Sequence, residues 1–185
     1  MRFKGELLLS TDENPVLKAI KERRSINRFK PDDVPEDKLE AILEAGRAAP
    51  SWTNTQPWKF IVVKNPETRR KLTELALTVT GIGIKEAPVD IVIVVDPKAD
   101  PYHHIEDGAA ATQNMSLAAH SLGLGSFWVG VPEKGVSTDR IKKLLGIPKS
   151  HRVISILPVG IPALTPSKTR KPLSEIVYKE SFGKN

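Results

Sequence analysis

Two stretches of this chain gather side chains that could do chemistry. Arg23-Arg24-Ser25 places two guanidinium groups and a hydroxyl where a helix gives way to an extended segment. Such a trio can hold a phosphate or another anion through forked, charge-assisted hydrogen bonds. A solvated helix end has the same make-up, because cations suit the negative end of the helix dipole, and read alone the trio favours that plainer account. The second stretch is the proline-bounded loop from Pro50 to Trp58, which carries Ser51, Thr53, Asn54 and Gln56. Crowded with backbone donors, it can clamp a polar heterocycle; the same residues also make an ordinary turn stabilised by side-chain-to-backbone bonds.

Other constellations are weaker. His103-His104 lacks the i, i+4 spacing that puts two metal ligands on one helix face. His120 reads as a hydrogen-bonded core histidine, and Ser126 is not in a Gly-x-Ser-x-Gly elbow. In Gly123-Leu124-Gly125 the third residue after Gly125 is Trp128 rather than glycine, so the dinucleotide fingerprint is missing, and no Walker A sequence occurs. Gly81-Ile82-Gly83 reads as a turn. With no cysteine, thiolate nucleophiles, disulfides, zinc–thiolate sites and Cys-ligated iron–sulfur clusters are excluded.

The elements that must position these residues are organised around the longest stretch without a formal charge, Gly108 to Pro132. Asp107 to Leu122 is predicted as a buried helix capped by Asp107, stopped by Gly123 and Gly125, and followed by a buried strand from Ser126 to Val131. Thr112, Gln113, Asn114, Ser116, His120 and Ser121 are too polar for a membrane span. Asn14-Pro15 and Asn65-Pro66 start helices, the second reaching about Leu77, and Val34-Pro35 opens another with Leu39, Ile42, Leu43 and Gly46 at helical spacing. Ile26 to Phe29 reads as extended. Trp58 to Val63, Val89 to Val95 and Arg152 to Val159 are strands, the second covered on both faces. Ser137 is expected to cap a helix ending at Gly146.

From Gly160 onward prolines and Lys168, Arg170 and Lys171 dominate, with one possible short strand at Ser174 to Tyr178. Such a tail has no core of its own and is expected to lie on a partner subunit. The 185 residues suit one domain, an α+β or α/β three-layer sandwich. The net charge of +6 favours anionic partners, but the basic residues are dispersed, so neither nucleic acid nor membrane is expected. Leu7 to Leu9 is too short for a signal-peptide core, and a cytoplasmic location is the default.

As an ordered set, several of these segments resemble the nitroreductase family of FMN-dependent oxidoreductases. They are Arg23-Arg24-Ser25-Ile26, the run Ala48 to Phe60, Gln113-Asn114-Met115, Leu122 to Ser126, and Arg170-Lys171-Pro172-Leu173. The resemblance runs from about Asn14 to Val177. It implies an α+β three-layer sandwich, a mixed central sheet flanked by helices, built as an intimate homodimer with FMN at the subunit interface. By position, Arg23, Arg24 and Ser25 would face the flavin phosphate and pyrimidine side, and Pro50, Ser51, Trp52 and Asn54 would come from the other subunit. Trp128, Val129 and Gly130 would lie along the ring, with Lys168 and Arg170 near the phosphate. Asn27 stands where the family often has Arg or Lys, which leaves open whether the adjacent Arg28 takes over that contact, and Trp52 stands where a small residue is common. The implied activity is NAD(P)H-dependent reduction of nitroaromatics, quinones or related acceptors by a ping-pong mechanism. Reductive dehalogenation, flavin fragmentation, or flavin binding without turnover are the alternatives.

Overall fold

A computed structural model of the chain describes residues 14–76 and 81–184. The stretch Leu7 to Leu9, and the predicted helix end at Leu77, lie outside them. Helix α1 (Pro15–Glu22) starts where Asn14 Oδ1 accepts the N–H groups of Val16 and Leu17 at 3.0 and 3.2 Å. Helix α2 (Glu36–Arg47) follows, then strand β1 (Trp58–Val63), α3 (Pro66–Leu75), α4 (Gly81–Glu86) and β2 (Val89–Val95). Helix α5 (His104–Ser121), the short strands β3 (Gly125–Ser126) and β4 (Val129–Gly130), α6 (Val136–Leu145) and β5 (Arg152–Gly160) complete the framework.

The five strands form one sheet in the order β1-β2-β5-β3, with β4 also on β5. All four ladders are antiparallel; an isolated parallel bridge joins Ser25 to Ser126. Alternation along β2 sends Val89, Ile91, Ile93 and Val95 into a core with α2 and α5, while Val92 and Val94 meet α3, α4 and α6 on the other face. A bulge opposite Ile93 and Val94 lets Ile154 and Ser155 both turn toward α5. Gly108 accommodates this, since a Cβ there would sit 2.6 Å from Ile154 Cγ1, and Ser155 Oγ lies 2.9 Å from Thr112 Oγ1. The α+β sandwich is therefore as expected, and no helix among the described residues is long and apolar enough to cross a membrane.

Six local expectations are corrected. Helix α5 begins at His104, not Asp107, because Asp100 Oδ1 already accepts the N–H groups of Tyr102 and His103, both at 2.9 Å. Gly123, at φ +77°, does end the helix, whereas Gly125 belongs to β3. The strand expected from Ser126 to Val131 keeps one register on β5 but breaks at Phe127. Phe127 N–H donates to the Pro158 carbonyl at 3.2 Å, and Pro158 has no N–H to return the bond. Ser137 lies inside α6, which follows Gly135 at φ +139° with no side-chain cap. Gly81-Ile82-Gly83 is the first turn of α4 rather than a loop turn, and Leu173–Glu175 forms a 3₁₀ turn where Ser174 to Tyr178 was expected as a strand. That last segment is exposed and pairs with no strand among the described residues.

One buried carboxyl carries a stability prediction. Asp90 in β2 is fully buried, and neither carboxyl oxygen has a hydrogen-bond partner. Burial pushes its pKa well above the ordinary carboxylate range, opposed by the Arg69 guanidinium. The folded state therefore binds this proton more tightly than the unfolded chain does. Stability is full below the unfolded value and falls as pH rises through the folded one. Asp90→Asn should flatten that decline in urea unfolding from mildly acidic to alkaline pH; an unchanged slope would show that Asp90 is not its source.

Candidate active site

The sequence-derived residues fall into two groups in one chain. The first gathers at the C-terminal end of α1. The chain leaves Glu22 in extended conformation, and Ile26 N–H donates to the Ser126 carbonyl at 2.8 Å, so Arg23, Arg24 and Ser25 are fastened beside β3. Arg23 and Arg24 are half-buried, and Arg170 of the tail joins them. Burial, then the charges of Arg170 and Arg24, lower the pKa of the Arg23 guanidinium. Arg24 Nη1 donates to the carbonyls of Lys21 and Arg23 at 2.7 and 3.0 Å, and Arg170 Nη1 to the Thr169 carbonyl at 3.2 Å. Among the described residues, none of these three arginines forms an ion pair with a carboxylate. Mutually repelling cations held without an acid are arranged for a polyanion.

Behind the cluster lies a cavity of about 210 Å³ lined by Arg23, Arg24, Ser116, His120, Gly123 and Ser126. His120 is thus half-buried beside the cations rather than a core group. Asn27 is exposed two residues beyond Ser25. Arg28 does not replace it as an anion contact, because its guanidinium is paired with Glu86. Lys168 is exposed on the tail.

From Ser126 the chain passes directly to Trp128, Val129 and Gly130. Trp128 is partly exposed, Val129 is buried and Gly130 is open, with space where a Cβ would stand. Val129 and Gly130 also line an apolar cavity of about 490 Å³ with Leu75, Pro132, Val136 and Ile141. A backbone edge without a side chain beside an apolar hollow suits a flat ring.

The second group is the Pro50–Pro57 loop. Ser51 Oγ accepts the Gln56 N–H at 2.9 Å, and Thr53, Asn54 and Gln56 take left-handed φ of 45°, 61° and 48°. Trp52 is 41% exposed and its ring meets Tyr102 and His103 at 5.4 and 5.8 Å between centroids. Pro50 and Asn54 are exposed. The loop touches the N-terminal end of α5 through Asp107, whereas the arginine cluster touches its C-terminal end through His120. Those positions lie about 20 Å apart at 1.5 Å rise per residue. One chain therefore separates the two groups.

Comparison with known proteins identifies the family of this fold. The model of the Nitroreductase family matches residues 20–80 and 78–161. A protein of Methanothermobacter thermautotrophicus, named as a candidate NADH dehydrogenase/NAD(P)H nitroreductase, is 40% identical over 153 residues, 82% of this chain and 79% of its own. A structure from Parabacteroides distasonis, of a candidate NADH dehydrogenase/NAD(P)H nitroreductase, matches with a TM-score of 0.86 at 29% identity, covering 92% of this chain and 100% of the other. A candidate nitroreductase of Desulfovibrio desulfuricans, solved in complex with FMN, matches at 0.77 with 35% identity, over 92% and 99% of the two chains. With the family model covering most of its length and the fold reproduced in solved relatives, this chain belongs to the nitroreductase family.

Proposed function

We propose that the chain is an FMN-dependent NAD(P)H oxidoreductase that works as a homodimer and reduces nitroaromatics, quinones or related small acceptors. The observation that carries this reading is the cluster of Arg23, Arg24 and Arg170, cations that form no ion pair among the described residues, beside Ser126 on the segment that leads to the open backbone of Gly130. Together they fit the phosphate and the flat ring of FMN. When bound, FMN supplies the two-electron chemistry between NAD(P)H and an acceptor. The residues of this chain bind and orient. The arginines neutralise the phosphate, Ser25 and Asn27 offer polar contacts along its path, and Trp128–Gly130 give the ring a flat apolar support.

Homodimerisation supplies the remaining wall. The Pro50, Ser51, Trp52 and Asn54 loop is too far from the arginines in one chain to share a cofactor with them, so we assign it to the partner's site. Val16, Leu17 and Ile20, the apolar face of α1, are 62, 46 and 53% exposed, and Leu173, Ile176 and Phe182 of the tail are 73, 57 and 92% exposed. A second copy that covers these surfaces, with residues from about 160 onward as an arm across it, removes that apolar area from water.

Purified protein should be yellow and release FMN, not FAD, on denaturation, because no adenine-binding fingerprint accompanies the phosphate site. Steady-state oxidation of NAD(P)H at several acceptor concentrations should give parallel double-reciprocal lines, as expected when donor and acceptor use one site in turn. Recovery of FAD would reject the cofactor. Intersecting lines would reject the shared site.

A further inference from the structure

The loop that carries Trp52 is strained, and its restraint is a pair of acids. Thr53, Asn54 and Gln56 all hold positive φ, a region that a β-branched residue such as Thr53 avoids. Strain of this kind persists only where the surroundings enforce it. Most hydrogen bonds of the loop are local, from Asn54 N–H to the Ser51 carbonyl, from Thr55 N–H to the Trp52 carbonyl and from Gln56 to Ser51 and Asn54. The bond that anchors its start to a helix runs from Trp52 N–H to Asp107 Oδ1, 3.1 Å long and 55 residues apart in sequence.

Asp107 is 5% exposed and Asp100 fully buried. Each uses Oδ1 to accept backbone N–H groups, Trp52 for Asp107 and Tyr102 with His103 for Asp100. Each keeps an Oδ2 that is sealed from solvent and has no donor. The two side chains meet one another. Two carboxyl groups in contact, without a donor between them, are stable only with one proton shared.

We propose that Asp107, sharing one proton with Asp100, is the positioning residue that clasps the Trp52 loop to α5 and releases it when that proton is lost. The electrostatic surroundings agree in direction. Burial raises the Asp107 pKa, and contact with Asp100 adds to it against the Trp52 N–H. Burial would raise Asp100 too, but the N–H groups of His103 and Tyr102, together with the Asp107 carboxyl and the His103 ring, outweigh it and hold that group below its usual value. The exposed His103 imidazole favours the charged form of both. His104 turns its Nδ1 to the Asp100 carbonyl at 2.9 Å, the Tyr102 ring meets Trp52 edge-on, Glu106 is the neighbouring acid on α5, and the loop itself carries no charge. Asp107, raised in the fold, contributes least once pH rises through its folded value, where a second buried charge appears and the clasp loosens. Asp100, lowered in the fold, loses its contribution as pH falls through its own folded value. The closed loop belongs to the window between the two.

The test uses the full-length FMN-loaded protein with ¹⁵N-labelled tryptophan, following the Trp52 backbone amide by NMR from acidic to alkaline pH. In the wild type its proton shift should titrate, and its exchange, corrected for intrinsic rate, should quicken as pH rises. Asp107→Asn can accept from Trp52 and donate to Asp100, so it should keep slow exchange and lose the titration. Asp107→Ala should exchange roughly tenfold faster at every pH. Asp100→Asn supplies the donor from the other side and should likewise abolish the titration, which keeps the test open if the alanine variant does not fold. A wild-type Trp52 amide that does not titrate, or titration that persists in Asp107→Asn, overturns the clasp. The link to flavin binding rests on the function proposed above and is read separately. With the clasp in place, weaker FMN retention in Asp107→Ala supports the loop's part in the flavin site, and unchanged retention rejects that part while leaving the clasp standing.

Discussion

Arg23→Ala should weaken FMN retention by about ten- to a hundredfold, the loss of one charge-assisted bond worth about 1.5–3 kcal/mol. The magnitude follows from where the residue stands. Arg23 is half-buried, fastened by the Ser25–Ser126 bridge, and repelled by Arg24 and Arg170 until an anion arrives. Its side chain is therefore preorganised, and little of the bond energy goes to ordering it. The companion change Arg170→Ala should cost less than Arg23→Ala, since the tail is exposed and its removal also relieves the repulsion on Arg23. For the same reason the double variant should fall short of the sum of the single effects.

A second readout separates binding from folding. The apoprotein of either variant should melt no lower than wild-type apoprotein, because like charges have been removed and no ion pair broken. Retention should also weaken with added salt in the wild type, and less so in the variants. Equilibrium dialysis against FMN, with melting curves of the apo forms, measures both. If Arg23→Ala and Arg24→Ala each bind FMN as the wild type does, this cluster is not the phosphate site.

The second large effect is expected at Gly125. A Cβ there would lie 2.7 Å from both Cβ and Cγ1 of Ile26 and 2.9 Å from Cγ2. Ile26 cannot retreat: it is 3% exposed, packs with Phe29 and Ala87, and its N–H is committed to Ser126 at 2.8 Å. Its Cβ, being next to the backbone, cannot swing away as the end of a long side chain would. Gly125→Ala should therefore cost about 1–3 kcal/mol as overpacking, and Gly125→Val more. The damage is also local to the site, since pushing Ile26 outward carries Arg23, Arg24 and Ser25 with it.

Gly125→Ala should thus lower both the melting temperature and FMN affinity. Gly123→Ala is the control. Its φ of +77° makes alanine unfavourable by roughly 1–2 kcal/mol, but nothing lies within 4 Å of the added Cβ, so the arginines stay in place. A Gly125→Ala protein that is destabilised yet binds FMN normally would show that the bridge does not position the anion site.

What the sequence determined by itself depends on near neighbours. Trp58–Val63 and Val89–Val95 are strands at the bounds their apolar runs predict; Val89–Val95, buried at every position, needs only continuous hydrophobic residues, whereas the edge strand Trp58–Val63 leaves Lys59 and Val62 exposed. Asn14 and Asn65 cap α1 and α3 because an Asx side chain reaches only two or three residues ahead. The ordered family resemblance is likewise linear, and it carried the fold class and the identity of the candidate cofactor residues.

Only the tertiary structure decided the rest, since the deciding partner lies far along the chain. Asp107 has the side chain of a helix cap, yet Asp100 holds that end and Trp52 claims the Asp107 carboxyl group. Gly125 looks like a helix stop, yet its missing Cβ makes room for Ile26. Arg28 looks like a spare anion contact until Glu86 takes it. The strand through Phe127 breaks at a proline 31 positions away, visible only once the register on β5 is known. Local propensity acts over one turn or one strand step, whereas steric fit, buried charge and ladder register are settled by whatever the fold brings alongside.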